Sequence, residues 1–289
     1  MLVNPLSGGV DDNAVAEATA ILSDHGCDAT VITLESGRLE AQVDEALAAG
    51  PDVLLVLAGD GTAGTIAARV GPNGPLVAPL PGGTMNMLPQ ALYGTTDWKT
   101  ALGLVLEEGV PLNVGGGEIT DLDGRYAFYC AAILGSPALW APAREAIRSG
   151  RLKLAWGYAR RALRRAFSGR LRFALDARGF RRAEALVLIS PTISRAVDEN
   201  AGLEAAAMNP SDAAQAFRLA AHALFTDWRH DPTVSTTATR HVRVRARSRI
   251  PAVIDGEPVL LRQEAEVRFV RKAFRALAPA PAPAAGDPA

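Results

Sequence analysis

Leu54-Leu55-Val56-Leu57-Ala58-Gly59-Asp60-Gly61-Thr62 is an apolar run that ends on a glycine-flanked acid. The run has the length of a buried strand, and helical spacing follows it from Thr62 to Val70, so the glycines mark a strand-to-helix turn. A second turn of the same kind, Leu80-Pro81-Gly82-Gly83-Thr84-Met85-Asn86, follows the apolar stretch Leu76–Leu80. Glycine lets main-chain N–H groups close on an anion with no Cβ in the way, and the helix that follows adds its positive end. Two such turns in one α/β layer read as a cradle for a polyphosphate. Asp60, in the first of them, suits a metal ion or the phosphate chemistry itself, because a carboxylate facing phosphates without a cation would repel them.

Outward from these turns, strand and helix alternate from the start to about residue 113. Ala14, Val15, Ala18, Ile21 and Leu22 recur at helical spacing, and Gly26 follows as a stop. Ala29–Leu34 reads as a strand, Leu39–Ala49 as a helix, Asp52–Leu57 as a fully buried strand, and Met85–Leu92 as a helix. Repeated βα units build a parallel sheet whose ligands sit beyond the carboxyl ends of the strands. Both glycine turns fall at such ends, and so does Asn4-Pro5-Leu6-Ser7-Gly8.

After residue 113 the pattern changes. Glu118–Thr120 and Arg125–Leu134 flank an Asp123-Gly124 turn, and Leu171–Leu175 is expected to pair with Ala185–Ile189 around Arg178-Gly179. His241–Arg247 alternates strictly, with its arginines on one face, and Val253–Val259 reads as strand, turn, strand. Helices are expected near 138–167 and 211–225. The fold expected is therefore an α/β first domain with a parallel sheet, residues 1–113, and a mostly antiparallel, β-sandwich-like second domain, residues 114–262. The Pro/Ala-rich 279–289 is expected to be a disordered tail.

With 289 residues, 48% of them hydrophobic, there is ample material for a core. Cys27 and Cys130 have no ligand-like spacing and read as buried thiols, and His25, His222, His230 and His241 show no metal-ligand pairing. Apolar stretches are interrupted well short of a membrane span, and no leader peptide is visible before the opening strand. Taken singly, each polar motif has a plain structural reading. Asp-Gly turns are common anywhere, Asn4 and Ser7 could simply start a turn, and Asp255-Gly256-Glu257 could be an ordinary hairpin.

Taken in order, the motifs resemble the diacylglycerol kinase catalytic-domain family, which includes bacterial lipid kinases and the sphingosine and ceramide kinases. The resemblance runs from about residue 2 to residue 279. It is carried by Asn4-Pro5-x-Ser7-Gly8, Thr33-Leu34-Glu35, Gly59-Asp60-Gly61-Thr62, Leu80-Pro81-Gly82-Gly83-Thr84-x-Asn86, Ala201-Gly202-Leu203-Glu204 and Asp255-Gly256-Glu257. It implies an NAD kinase/diacylglycerol kinase-like first domain, rejoined by about residues 263–278, and catalysis in the cleft between the domains. Asn4, Ser7, Thr33, Ala58, Gly59, Gly61, Thr62, Gly83 and Thr84 would then bind the phosphates of ATP and nearby groups. Asp60 would organise the Mg²⁺-nucleotide, and Glu257 would be the general base toward a lipid hydroxyl, with Asp255 beside it. The sequence departs from the family pattern at Ala58, Thr65, Met87, Pro137 and Ala201, and the last of these leaves the family's structural Mg²⁺ site without its acid.

The segment Arg144–Arg182 interleaves many arginines with Trp156, Tyr158 and Phe167. It reads either as a solvated helix face or as a dock for an anionic membrane surface. The near-neutral balance, net charge −1, and the lack of a recognition motif argue against nucleic acid. The expectation is an ATP- and Mg²⁺-dependent kinase of a membrane lipid, cytoplasmic and peripheral to the inner face of the membrane. Homodimerisation stays open. An NAD kinase-like enzyme and a non-catalytic nucleotide- or lipid-binding module are the alternatives.

Overall fold

The structure, a computed structural model, describes residues 1–135, 171–194, 201–208 and 234–280. The chain divides into two units: unit 1 is Met1–Val114 together with the chain from Lys272 on, and unit 2 is Gly115–Arg271.

Unit 1 runs β1 (Leu2–Val3), α1 (Ala14–Asp24), β2 (Ile32–Thr33), α2 (Leu39–Ala48), β3 (Val53–Ala58), α3 (Asp60–Val70), β4 (Leu76–Pro81), α4 (Met87–Tyr93) and α5 (Trp98–Glu108). The strands lie in the order β2-β1-β3-β4, all parallel, because a helix returns the chain between strands. β3 and β4 are buried over nearly their whole length, as an apolar run without alternation requires of a strand covered on both faces. Val3, Leu55, Leu57, Ala78 and Leu80 share a core with Ala14, Ala18 and Leu22 of α1 and Trp98, Ala101, Leu102 and Val105 of α5. Burial of a leucine such as Leu57 or Leu80 contributes about 1.5–3 kcal/mol. α3 packs against β3, β4 and α2.

Two elements differ from expectation. The strand expected over Ala29–Leu34 is reduced to Ile32–Thr33, because it is an edge strand whose neighbour β1 offers two residues for pairing. α5 was not anticipated, although Asp97 signals it: its side chain accepts from Thr100 N at 2.8 Å and so caps the helix.

The remaining strands are β5 (Gly109–Thr120), β6 (Arg125–Phe128), β7 (Ala131–Gly135), β8 (Leu171–Leu175), β9 (Arg181–Ala183), β10 (Ala185–Ile189), β11 (Leu203–Met208), β12 (Val234–Thr239), β13 (His241–Arg245), β14 (Ile250–Ile254), β15 (Glu257–Leu261) and β16 (Glu264–Pro279). In unit 2 one antiparallel layer contains β13, β8 and β9 with the start of β16, and β5 pairs with β6 and β16. The other is the antiparallel sheet β12-β11-β10-β7-β14-β15. One core joins them, with Phe128, Phe173, Val242 and Val267 from the first layer meeting Leu134, Leu186, Leu203 and Ile254 from the second. This is the sandwich arrangement expected. On β13, Val242 and Val244 are buried while Arg243 and Arg245 are exposed, which bears out the alternation read from the sequence.

The pairing expected between Leu171–Leu175 and Ala185–Ile189 is corrected. β8 turns back onto β9, in register Leu171 with Ala183, whereas β10 lies in the other sheet between β7 and β11. Ala185–Ile189 is apolar throughout and buried throughout, so it carries no alternation to reveal its partner. The stretch Arg125–Leu134 likewise divides at Tyr129-Cys130, β6 pairing with β5 and β7 with β10 and β14. The helices expected near 138–167 and 211–225, the segment 136–170 with most of its arginines, and the tail from residue 281 lie outside the described residues. No helix among the described residues is long and apolar enough to cross a membrane.

Candidate functional site

In unit 1 three loops meet at the carboxyl ends of β1, β3 and β4. Asn4 N donates to Leu57 O at 2.9 Å, and its side-chain Nδ2 donates to Thr62 Oγ1 at 3.1 Å. Asn4 Oδ1 accepts from Leu6 N at 3.1 Å, which shapes the first turn. Ser7 Oγ accepts from Gly59 N at 3.1 Å. Gly9 N donates to Gly82 O at 2.9 Å, and Gly82 N to Ala58 O at 3.0 Å. Asn4, Ser7, Ala58, Gly59, Thr62 and Gly82 therefore belong to one stitched junction.

The glycines are required by how closely the loops approach. A Cβ on Gly83 would lie 2.6 Å from Gly59 Cα, and one on Gly82 would lie 2.8 Å from Ala58 N. A Cβ on Gly8 would come within 3.7 Å of Thr84 Oγ1, so Thr84 sits at the same rim. Thr33 lies at the carboxyl end of β2, exposed, its carbonyl accepting from Gln42 Nε2 at 3.0 Å. It is placed at the same sheet edge as the loops, since Val3 and Thr33 are register partners.

Asn86 is the residue that sequence reasoning left out of the site. It is buried and left-handed, with φ 49°, and its Oδ1 accepts from Gly83 N at 2.7 Å while Nδ2 donates to Gly83 O at 2.9 Å. Asparagine tolerates this backbone region better than most residues. Its place after Gly-Gly-Thr-x was the available signal.

Asp60 is the first residue of α3, and its carboxylate reaches the start of α4, accepting from Met87 N at 3.2 Å and Leu88 N at 3.3 Å. Burial pushes this carboxyl above the usual carboxylate range, and the main-chain N–H groups of Met87, Leu88 and Asn86 pull it partly back. The charge is thus set between two helix N-termini, each favouring an anion. Thr65, where the family pattern has an acid, donates its hydroxyl to Gly61 O at 2.9 Å. Gly59 caps α3 with no side-chain hydrogen bond, and the first-turn N–H groups of such a helix have no carbonyl within it to bond. Together with the Cβ-free Gly59–Gly83 approach, this donor set fits a phosphate group. Among the described residues no three His, Cys, Asp or Glu side chains converge. A divalent ion here would therefore rely on Asp60 and on oxygens brought by the ligand.

In unit 2, Asp255 and Gly256 form the two-residue turn between β14 and β15, with φ 44° and 92°. Two positive φ values are the mark of a tight hairpin whose twist matches its strands. Both Asp255 oxygens are engaged: Oδ2 accepts from Tyr129 N at 2.7 Å, and Oδ1 from Cys130 N at 2.9 Å and Ala131 N at 2.8 Å. Asp255 N donates to Ala131 O at 2.9 Å, and Ser190 Oγ donates to Tyr129 O, so the break between β6 and β7 is clamped from two sides. Burial, with the Asp255 charge adding to it, pushes the Tyr129 hydroxyl upward. Glu257 opens β15 and is exposed. Asp255 is thus built into the turn while Glu257 projects from it.

Residues 1–115 match the model of the diacylglycerol kinase catalytic domain, which supports the resemblance read from the motifs of that segment. No curated protein matches the chain in sequence. A diacylglycerol kinase from Bacillus anthracis superimposes with a TM-score of 0.69 at 14% identity, over 96% of this chain and 95% of that one. A second Bacillus anthracis structure, assigned to the diacylglycerol kinases, gives 0.72 at 16% identity over 96% and 95%. An NAD kinase from Archaeoglobus fulgidus in complex with ATP gives 0.52 at 12% identity over 95% and 91%. At these identities the likeness is one of fold: a parallel α/β unit followed by an antiparallel β unit, shared by both kinds of kinase.

Proposed function

We propose that this chain is an ATP-dependent kinase that phosphorylates the hydroxyl of a membrane lipid, diacylglycerol or a sphingoid- or ceramide-like lipid. The observation that supports it most is the three-loop junction of unit 1, where the bonds and close approaches of Asn4, Ser7, Gly59, Gly82 and Gly83 fix the loops around the start of α3, whose first-turn N–H groups have no carbonyl within the helix to bond. Phosphoryl transfer needs phosphate charge neutralised, the nucleophile positioned, and a base within reach of its proton. ATP, bound with Mg²⁺, would supply the transferable phosphoryl group. Gly59, Gly61, Thr62, Gly83 and Thr84 would hold its phosphates, with Thr33 at the same edge, and Asp60 would share the metal with them. Glu257, exposed and free of the clamp that occupies Asp255, would accept the proton of the lipid hydroxyl. The substrate places the protein at a membrane surface, on the cytoplasmic side where ATP is made.

The test is transfer of label from ATP into a lipid panel and, in parallel, into NAD. Label is expected in a lipid, and Glu257→Gln is expected to lower turnover by roughly a hundred- to ten-thousandfold with ATP affinity nearly unchanged. Label in NAD instead would assign the enzyme to a soluble substrate. Tight ATP binding without transfer to any acceptor would make the chain a binding module.

A further inference from the structure

The outer face of β8, β9 and β13 in unit 2 holds more positive charge than its own structure uses. In register, Arg182 lies opposite Arg172, Arg172 opposite Arg245, and Arg245 opposite Glu264. Arg243 stands two residues from Arg245 and so shares its face. The guanidinium carbons of Arg245, Arg243 and Arg172 lie 5.1, 5.4 and 5.6 Å from the centroid of one ring, that of the half-buried Phe180. Arg172, Arg182 and Arg243 are exposed, and among the described residues none of the three forms an ion pair. Arg245 meets Glu264 at 3.4 Å, while Glu266, the register partner of Arg243, is engaged by His241 and Arg268.

Like charges directly opposite on neighbouring strands are destabilising. A single ring gives each exposed cation only a modest attraction. The exposed guanidinium groups of Arg172, Arg182 and Arg243 are therefore open to an anion outside the fold. A sheet face that carries several cations around one aromatic complements a surface that displays anions in a plane.

We propose that this face docks the protein on an anionic lipid bilayer, Arg172, Arg182 and Arg243 meeting headgroup phosphates while Phe180 enters the interfacial layer. The choice of a bilayer over other polyanions rests on the lipid-kinase reading. The face itself adds Arg243 and Arg245, distant in sequence, to the arginines at the end of the Arg144–Arg182 segment.

The experiment is co-sedimentation of the full chain with phosphatidylcholine vesicles, with and without phosphatidylglycerol, over a range of salt. Binding is expected to need phosphatidylglycerol and to weaken with salt. The triple variant Arg172→Gln, Arg182→Gln, Arg243→Gln is expected to bind on the order of a hundredfold more weakly, since each basic side chain near such a surface contributes roughly fivefold. The triple lysine variant at the same positions keeps the charge and is expected to retain most of the binding. Wild-type protein indifferent to phosphatidylglycerol, a glutamine variant that binds like wild type, or a lysine variant as weak as the glutamine one would each overturn the proposal. So would tighter binding to a duplex oligonucleotide that is lost in the glutamine variant. Docking is measured here without ATP or an acceptor lipid, so intact docking combined with no label transfer in the separate lipid-panel assay would sink the kinase reading alone.

Discussion

Asp60 holds its proton more tightly in the folded chain than in the unfolded one, because burial outweighs the N–H groups of α4 that favour its charge. Between the ordinary carboxylate range and the raised folded value, the folded state therefore binds more protons, and stability falls as pH rises through that window. Asp60→Asn is expected to flatten that slope in denaturation midpoints measured across pH. The same variant is expected to lose on the order of a hundredfold or more in phosphoryl transfer at neutral pH, as for loss of a principal electrostatic contact. The unit 2 turn gives its two carboxylates different structural roles. Asp255→Ala leaves the N–H groups of Tyr129, Cys130 and Ala131 without their acceptor, and a loss of about 3 kcal/mol or more is expected in urea denaturation. Glu257→Gln, at an exposed position, is expected to stay within about 0.5 kcal/mol of wild type. A stable Asp255→Ala protein would remove the clamp from the account of this turn.

Among elements, α5 gives the plainest test of local design. Asp97→Ala deletes its cap and is expected to cost about 1 kcal/mol by chemical denaturation. The hydrogen bonds from Thr100 hold the Asp97 carboxyl below its usual range, so the cap's contribution is present above that range and is lost as pH falls through it. How far elements were legible follows from how local their signals are. The βα turns at Gly59 and Gly83 could be read from the residues because a strand, a glycine and a helix follow one another within a short stretch. Partner choice in unit 2 could not, since β10 finds β7 and β11 across long separations and its uniform apolarity suits either sheet. At the three-loop junction Asn4, Ser7 and Asp60 could be read as polar side chains at strand ends, whereas Asn86 was left out. The Met87 and Leu88 donors to Asp60 could not be read, because every residue but proline carries the same N–H and only the fold decides where it points.

At the scale of the molecule, a parallel unit that fits a phosphate group and an antiparallel unit with an arginine face are described with no helix apolar enough to span a bilayer. If the arginine face docks the protein on a bilayer as proposed, the contact is electrostatic and interfacial. Fractionated cells are therefore expected to release it from membranes with high salt rather than with detergent, and retention through a salt wash would point to another anchor. The division into an α/β part and a β part was legible because the period of the apolar pattern changes near residue 113. The return of the chain to unit 1 near residues 263–278 was implied by the family resemblance and not by the residues themselves, since a strand reads the same whichever neighbours it takes. The first residues of β16 pair with β13, Ala276 pairs with Val77 of β4, Tyr93 Oη donates to Leu277 O at 3.2 Å, and Ala278 is fully buried in the unit 1 core. On the ribosome this imposes an order. The first hundred or so residues emerge with the edge of β4 bare and a gap in their core, and must wait through synthesis of all of unit 2 before the closing strand arrives. For that interval the three-loop junction rests on an unfinished sheet, with an open strand edge of the kind that invites wrong partners.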